Sequence, residues 1–188
     1  MNQQLLDELE SAMITACLKS IDKHAGETFY SVSLYTSGEY GYFVDSIATL
    51  EGLKCAAERY LNEEGFRDKW KTMAVAMREL KWSPSDLPYH CEFENEFRRV
   101  NEIVQKIWQN VDDSDEHFLD TCEEIHETGV VVLSSIKNSR IFDHHQVLFN
   151  ILKGDQSDEE RLAIAEHLNS KELIERFKSD LNETDSDL

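Results

Sequence analysis

Three segments of this chain carry strand-like patterns, and nearly everything else repeats at helical spacing; that imbalance constrains the fold most. Phe29-Tyr-Ser-Val-Ser-Leu-Tyr-Thr36 is aromatic and β-branched. Strict alternation puts Tyr30, Val32 and Leu34 on one face and Phe29, Ser31, Ser33 and Tyr35 on the other. Ser37-Gly38 turns the chain, and Tyr40–Ile47 returns as the second strand of a hairpin. Val147–Leu152 is apolar on both faces and stops at Lys153-Gly154-Asp155, which predicts a buried strand that joins the hairpin at long range.

The helices follow from three- and four-residue apolar spacing. Residues 3–24 place Leu6, Leu9, Met13, Ala16 and Cys17 on one stripe. Thr49 caps a helix to about Glu64, closed by Gly65, and another runs from about Phe66 to Leu80. Ser83-Pro84 with Asp86 reads as a capped single turn, cut by Pro88. The longest regular pattern, about Glu92 to Asn110, carries Phe93, Phe97, Val100, Val104, Ile107 and Trp108. Asp113 and Glu116 open a helix with Phe118, Leu119, Cys122 and Ile125 inward, closed at Gly129; Val130–Leu133 is too short to assign. Ser157 and Ser170 cap two final helices, ending near His167 and Leu181. Residues 1–181 thus read as one α+β domain: a small, mostly antiparallel sheet (hairpin 29–47 plus the strand 147–152) among about seven helices. Residues 182–188 are expected to form an acidic, disordered tail.

Charge bounds the function. The chain has 38 acidic and 19 basic residues, a formal charge of −19. Nucleic-acid binders need a basic footprint to neutralise phosphates, and anionic membranes attract basic segments, so neither partner is expected. A basic protein is, because complementary fields accelerate and align encounters. From Ile107 to Ile136 there is no Lys or Arg, and this stretch holds the candidate partner-binding residues Asp112, Asp113, Asp115, Glu116, Asp120, Glu123, Glu124 and Glu127. A second acidic group is Asp155, Asp158, Glu159 and Glu160; a third lies in the tail. Solvated helix faces explain such runs equally simply. The N-terminal residues lack the basic and apolar regions of a secretory signal, and Cys17, Cys55, Cys91 and Cys122 are scattered, so reduced thiols and a cytoplasmic location are expected.

Chemical motifs are sparse. There is no phosphate-binding glycine loop and no nucleophile elbow. His144-His145 beside Asp143 is the only dense His/carboxylate cluster, and adjacent side chains rarely share one ion. His90-Cys91 could be a nucleophile and base only if the two came within hydrogen-bond reach, which sequence neighbours seldom do. No catalytic residue, cofactor or metal is therefore expected. The alternative is a small-ligand or enzymatic site between the hairpin and the Trp82–His90 turn, lined by Tyr30, Tyr35, Asp86, Tyr89 and His90. A housekeeping role of another kind is the third reading.

Two segments carry a resemblance. Phe29-Tyr-Ser-Val-Ser-Leu-Tyr-Thr36 and Leu80-Lys-Trp-Ser-Pro-Ser-Asp-Leu-Pro-Tyr-His90 resemble an uncharacterised bacterial domain family with an FY-x-x-x-LYT strand and a W-S/C-P-x-D-x-x-Y-H turn. Leu87 stands where that pattern has an aromatic residue. The family has no established enzymatic activity, and similar families occur beside bacterial toxins. The resemblance, with the acidic charge, implies an immunity protein that neutralises a cognate basic toxin domain, possible nucleases included, by electrostatically steered binding.

Overall fold

A computed structural model describes residues 1–111 and 115–185. Among them the element order is α1 (Gln3–Lys23), β1 (Phe29–Thr36), β2 (Val44–Thr49), α2 (Leu50–Leu61), α3 (Glu64–Trp70), α4 (Met73–Leu80), β3 (Tyr89–His90), a 3₁₀ turn (Glu94–Phe97), α5 (Arg98–Gln109), α6 (Asp115–Asn138), β4 (Leu148–Lys153), α7 (Asp158–Leu168) and α8 (Lys171–Asp185). The fold is α+β, as the patterns require. The sheet is mixed, in the order β3-β2-β1-β4. The β3/β2 and β2/β1 pairs are antiparallel, but β1 and β4 run parallel, from Ser31 beside Leu148 to Thr36 beside Lys153. A parallel neighbour needs a long crossover, and here residues 50–147 supply it.

One face of the sheet carries Val32, Leu34, Ile47, Phe149 and Ile151 into the main core with α1, α5 and α6. The opposite face packs Ala48 and Leu152 against α2–α4, and Leu148 against α7 and α8. Strict alternation misplaces two residues. β1 is bulged between Phe29, opposite Thr49, and Ser31, opposite Ala48. The extra residue flips the strand's start, sending Phe29 into the main core and Tyr30 to the α2–α4 side.

Asparagine amides cap backbone groups on the edge strand β4 and just ahead of β2. Asn169 accepts from the Phe149 N–H and donates to its carbonyl, both at 2.8 Å. Asn101 does the same for Phe43, just before β2, at 2.8 and 3.0 Å. Each amide thus satisfies backbone groups that a neighbouring strand would otherwise claim.

Several boundaries differ from the sequence expectation. The second strand starts at Val44, because Tyr40 takes a left-handed conformation (φ 56°) in a loop tied by Ser37. Gly65 lies inside α3, and the expected 66–80 helix breaks at Lys71 (φ 51°), with Thr72 capping α4. Ser83 donates to the Asp86 carboxylate at 2.6 Å within a turn instead of capping a helix. The helix expected to close at Gly129 continues to Asn138 and absorbs Val130–Leu133. Gly129 serves packing there: a Cβ would lie 2.9 Å from Ile151 Cδ1, so its absence lets α6 approach β4 closely. α8 is helical to Asp185, past the expected start of the tail at Asn182. The Ser157 cap holds, as a capping box with Glu160.

Candidate functional site

The five residues of the alternative pocket do not converge. Tyr30 is buried, donates from its hydroxyl to the Lys81 carbonyl at 2.9 Å and meets Trp82 edge-on. Asp86 accepts from Tyr60 at 2.5 Å and from Ser83 at 2.6 Å, which locks the Trp82–His90 turn onto α2. Tyr89 donates to Glu27 at 2.7 Å and stacks on His24 with ring centroids 3.6 Å apart. Only Tyr35 and His90 meet, edge to face at 4.5 Å. His90 also shares a hydrogen bond with Ser46. Tyr35 also lines a cleft of about 440 Å³ with Tyr42 and Lys153 at the carboxyl ends of β1 and β4, which Tyr30, Asp86, Tyr89 and His90 do not line.

The His90-Cys91 pair is poorly suited to nucleophilic chemistry. Burial pushes the Cys91 thiol up to about 11, with Asp45 and Glu94 adding to the shift. Burial also lowers His90, against the opposing field of Asp86. Both shifts disfavour the thiolate–imidazolium pair that such chemistry needs.

Behind Tyr89 lies a polar network that the sequence did not reveal. His24 Nε2 donates to Glu92 at 2.7 Å, Lys23 donates to the other Glu92 oxygen at 2.8 Å, and Glu27 Oε2 accepts from Thr49 at 2.5 Å as well as from Tyr89. Burial alone would raise the Glu92 carboxyl; the bonds and charges of Lys23 and His24 overturn this and hold it low. Next to it Asp45 is fully buried, accepts from the Phe93 N–H at 3.0 Å, and is pushed up to about 6 by desolvation despite that bond. Gly52 lets the turn close on α2, since a Cβ there would lie 2.8 Å from both Pro88 Cβ and Tyr89 Oη. These residues are separated by up to 69 positions, so no local pattern could have found them. The arrangement joins the end of α1, the start of α2 and the β3 turn, and every carboxylate in it is satisfied.

The acidic set lies on different ground. Asp112 and Asp113 fall outside the described residues. Asp115 and Glu116 form the start of α6. Asp120, Glu123, Glu124 and Glu127 are exposed, and their spacing places them on one side of α6, opposite the buried Ile125, Thr128, Val132 and Ile136. Glu124 pairs with the Met1 ammonium at 3.1 Å. Among the described residues no cation comes within ion-pair distance of Asp120, Glu123 or Glu127. Like charges three and four apart cost a helix about 0.2–0.5 kcal/mol per pair, so this face is maintained against a local penalty.

The expected inward placement of Phe118 and Leu119 is overturned. Phe118 is 38% exposed and rests on Trp108, while Leu119 is 65% exposed. They sit on the first turns of α6, ahead of the part that covers the sheet. The second acidic group is partly spent on structure: Asp158 pairs with Arg161, and Glu160 serves the α7 capping box.

A family model, a domain of unknown function designated DUF4303, matches residues 9–170. The chain belongs to that family. The match covers both resemblance segments and every element from the middle of α1 to the Ser170 cap of α8. No curated protein and no solved structure matches the chain. No helix of the described residues is long and apolar enough to cross a membrane.

Proposed function

We propose that this DUF4303 protein is a non-enzymatic binding protein that neutralises a basic protein partner, as an immunity protein does its cognate toxin domain, and that the partner docks on the outer face of α6. The observation that carries the reading is the exposed face of Asp120, Glu123 and Glu127, without a cationic partner among the described residues, flanked by the exposed Leu119 one turn before Glu123. Interfaces use such a division of labour: aromatic and aliphatic anchors are desolvated and set the dissociation rate, while rim charges steer the encounter. A cationic toxin surface built to approach phosphate would be attracted by this face and held away from its substrate.

The test is co-purification at low salt with the product of the adjoining reading frame, followed by association kinetics. Raising salt from about 0.05 to 0.5 M is expected to slow association about tenfold or more, because screening shortens the reach of the carboxylate field. Asp120→Lys, Glu123→Lys and Glu127→Lys together should act on the association rate, and Leu119→Ser on the dissociation rate. An association rate indifferent to both salt and charge reversal overturns the proposal.

A further inference from the structure

On this strongly acidic molecule one cavity collects cations that the fold leaves over. It has a volume of about 530 Å³ and lies between the end of α6, the 141–147 segment and the start of α8. That volume is within the range of small-molecule sites, roughly 300–1,000 Å³. Its floor is aromatic and rigid: Phe142 and Phe149 are buried members of the main core, 6.5 Å apart, and the His145 ring is held edge-on by Phe29 at 5.3 Å.

Four charged side chains reach the cavity, and they divide by sign. The two acids have local cationic or hydrogen-bonding partners. Asp143 lies 3.8 Å from Arg140, and Glu172 is held below the usual carboxylate range by its own backbone N–H and the Ser170 hydroxyl. The two cations have no acid within ion-pair distance among the described residues. Lys137 spends one hydrogen on the Leu168 carbonyl at 2.7 Å, and Arg176, on the exposed side of α8, has no ion pair. A separate cavity of about 20 Å³, lined by Tyr30 and Trp82, shares Gln146, Leu173 and Arg176 with it. One lining thus holds two buried aromatic rings, two carboxylates that have partners of their own, and two cations without an ion pair among the described residues.

We infer that this cavity binds a small organic anion, with its carboxylate or phosphate oxygens held by Arg176 and Lys137 and its apolar body laid on Phe142 and Phe149. A guanidinium fork matches either head group in a bidentate manner, and an ammonium adds a point charge. The site uses the last turn of α6, about three turns beyond Glu127, and shares no lining residue with the acidic face.

Calorimetric titration of the whole chain with phenyl phosphate, benzoate, inorganic phosphate and phenol tests the inference. At least one aromatic anion is expected to bind with a Kd of about 1 mM or tighter, and about tenfold more tightly than either inorganic phosphate or phenol. The arm that binds better identifies the head group. Arg176→Gln, at an exposed position that should leave the melting temperature unchanged, should weaken that binding about tenfold through loss of charge-assisted hydrogen bonds. The triple lysine variant of α6 should leave it intact. Equal binding of phenol or inorganic phosphate, an unchanged Kd in Arg176→Gln, or no binding of either aromatic anion at about 10 mM overturns the inference.

Discussion

The molecule uses carboxylates in two opposite ways. Around Tyr89, Glu27, Glu92 and Asp45 are buried or half-buried, and each accepts hydrogen bonds from named donors that tie α1, α2 and the β3 turn together. On α6, Asp120, Glu123 and Glu127 are exposed and have no cationic partner among the described residues. The residue types are the same; burial separates their roles. A buried carboxylate is tolerated only when bonded, whereas an exposed one costs little and remains available to another molecule.

That contrast can be broken by mutation, and the largest effect is expected in the network. Glu92→Ala should lower stability by about 2–3 kcal/mol in urea unfolding at neutral pH, because it strands the half-buried His24 and removes two charge-assisted bonds. Its folded-state carboxyl is held low, so the stabilisation is present above the ordinary carboxylate range and fades as pH falls through the folded value. The loss in Glu92→Ala should shrink in acid accordingly.

Asp45 should respond with the opposite sign. Its carboxyl is raised to about 6, so the protonated form is favoured on folding, and the native state loses stability as pH rises from about 4 through 6. Asp45→Asn keeps an acceptor for the Phe93 N–H and removes the buried charge. It should therefore gain stability over the parent as pH rises, on the order of 2 kcal/mol by pH 7. A flat difference between pH 4 and 7 would contradict the burial argument.

A smaller effect is expected at Tyr89. Tyr89→Phe keeps the stack on His24 and deletes the bond to Glu27, while Thr49 still donates to that carboxylate. A loss of about 1 kcal/mol is expected in the same unfolding assay. The smallest changes belong to α6. Asp120→Ala, Glu123→Ala and Glu127→Ala should each shift stability by less than about 0.5 kcal/mol, toward gain where like-charge repulsion is relieved. If one of them destabilised the fold as Glu92→Ala does, the proposed division between structural and available carboxylates would fail.

Much of the fold was legible locally. β1 was read to its ends, and the α2 and α7 caps at Thr49 and Ser157 follow from side chains that bond backbone amides a few residues away. The acidic side of α6 was legible for the same reason, since spacing alone sets which residues share a helix face. What failed locally was decided by packing. The bulge that swaps Phe29 and Tyr30 is set by the partner strand. Gly129 reads as a stop in sequence and is instead where α6 lies against Ile151. Phe118 and Leu119 fit the inward stripe by spacing, yet their turns precede the part of the helix that covers the sheet.

The sequence by itself determined the α+β class, helix α1, the strong negative charge and its concentration between Ile107 and Ile136, because periodicity and composition are properties of neighbouring residues. Only the tertiary structure decided that β4 runs parallel to β1, that Tyr89 and Asp86 anchor a turn instead of lining a pocket, and that Lys137 and Arg176 share a cavity with Phe142 and Phe149. Those pairings join residues far apart along the chain. They depend on which surfaces become buried together, and no local pattern encodes that.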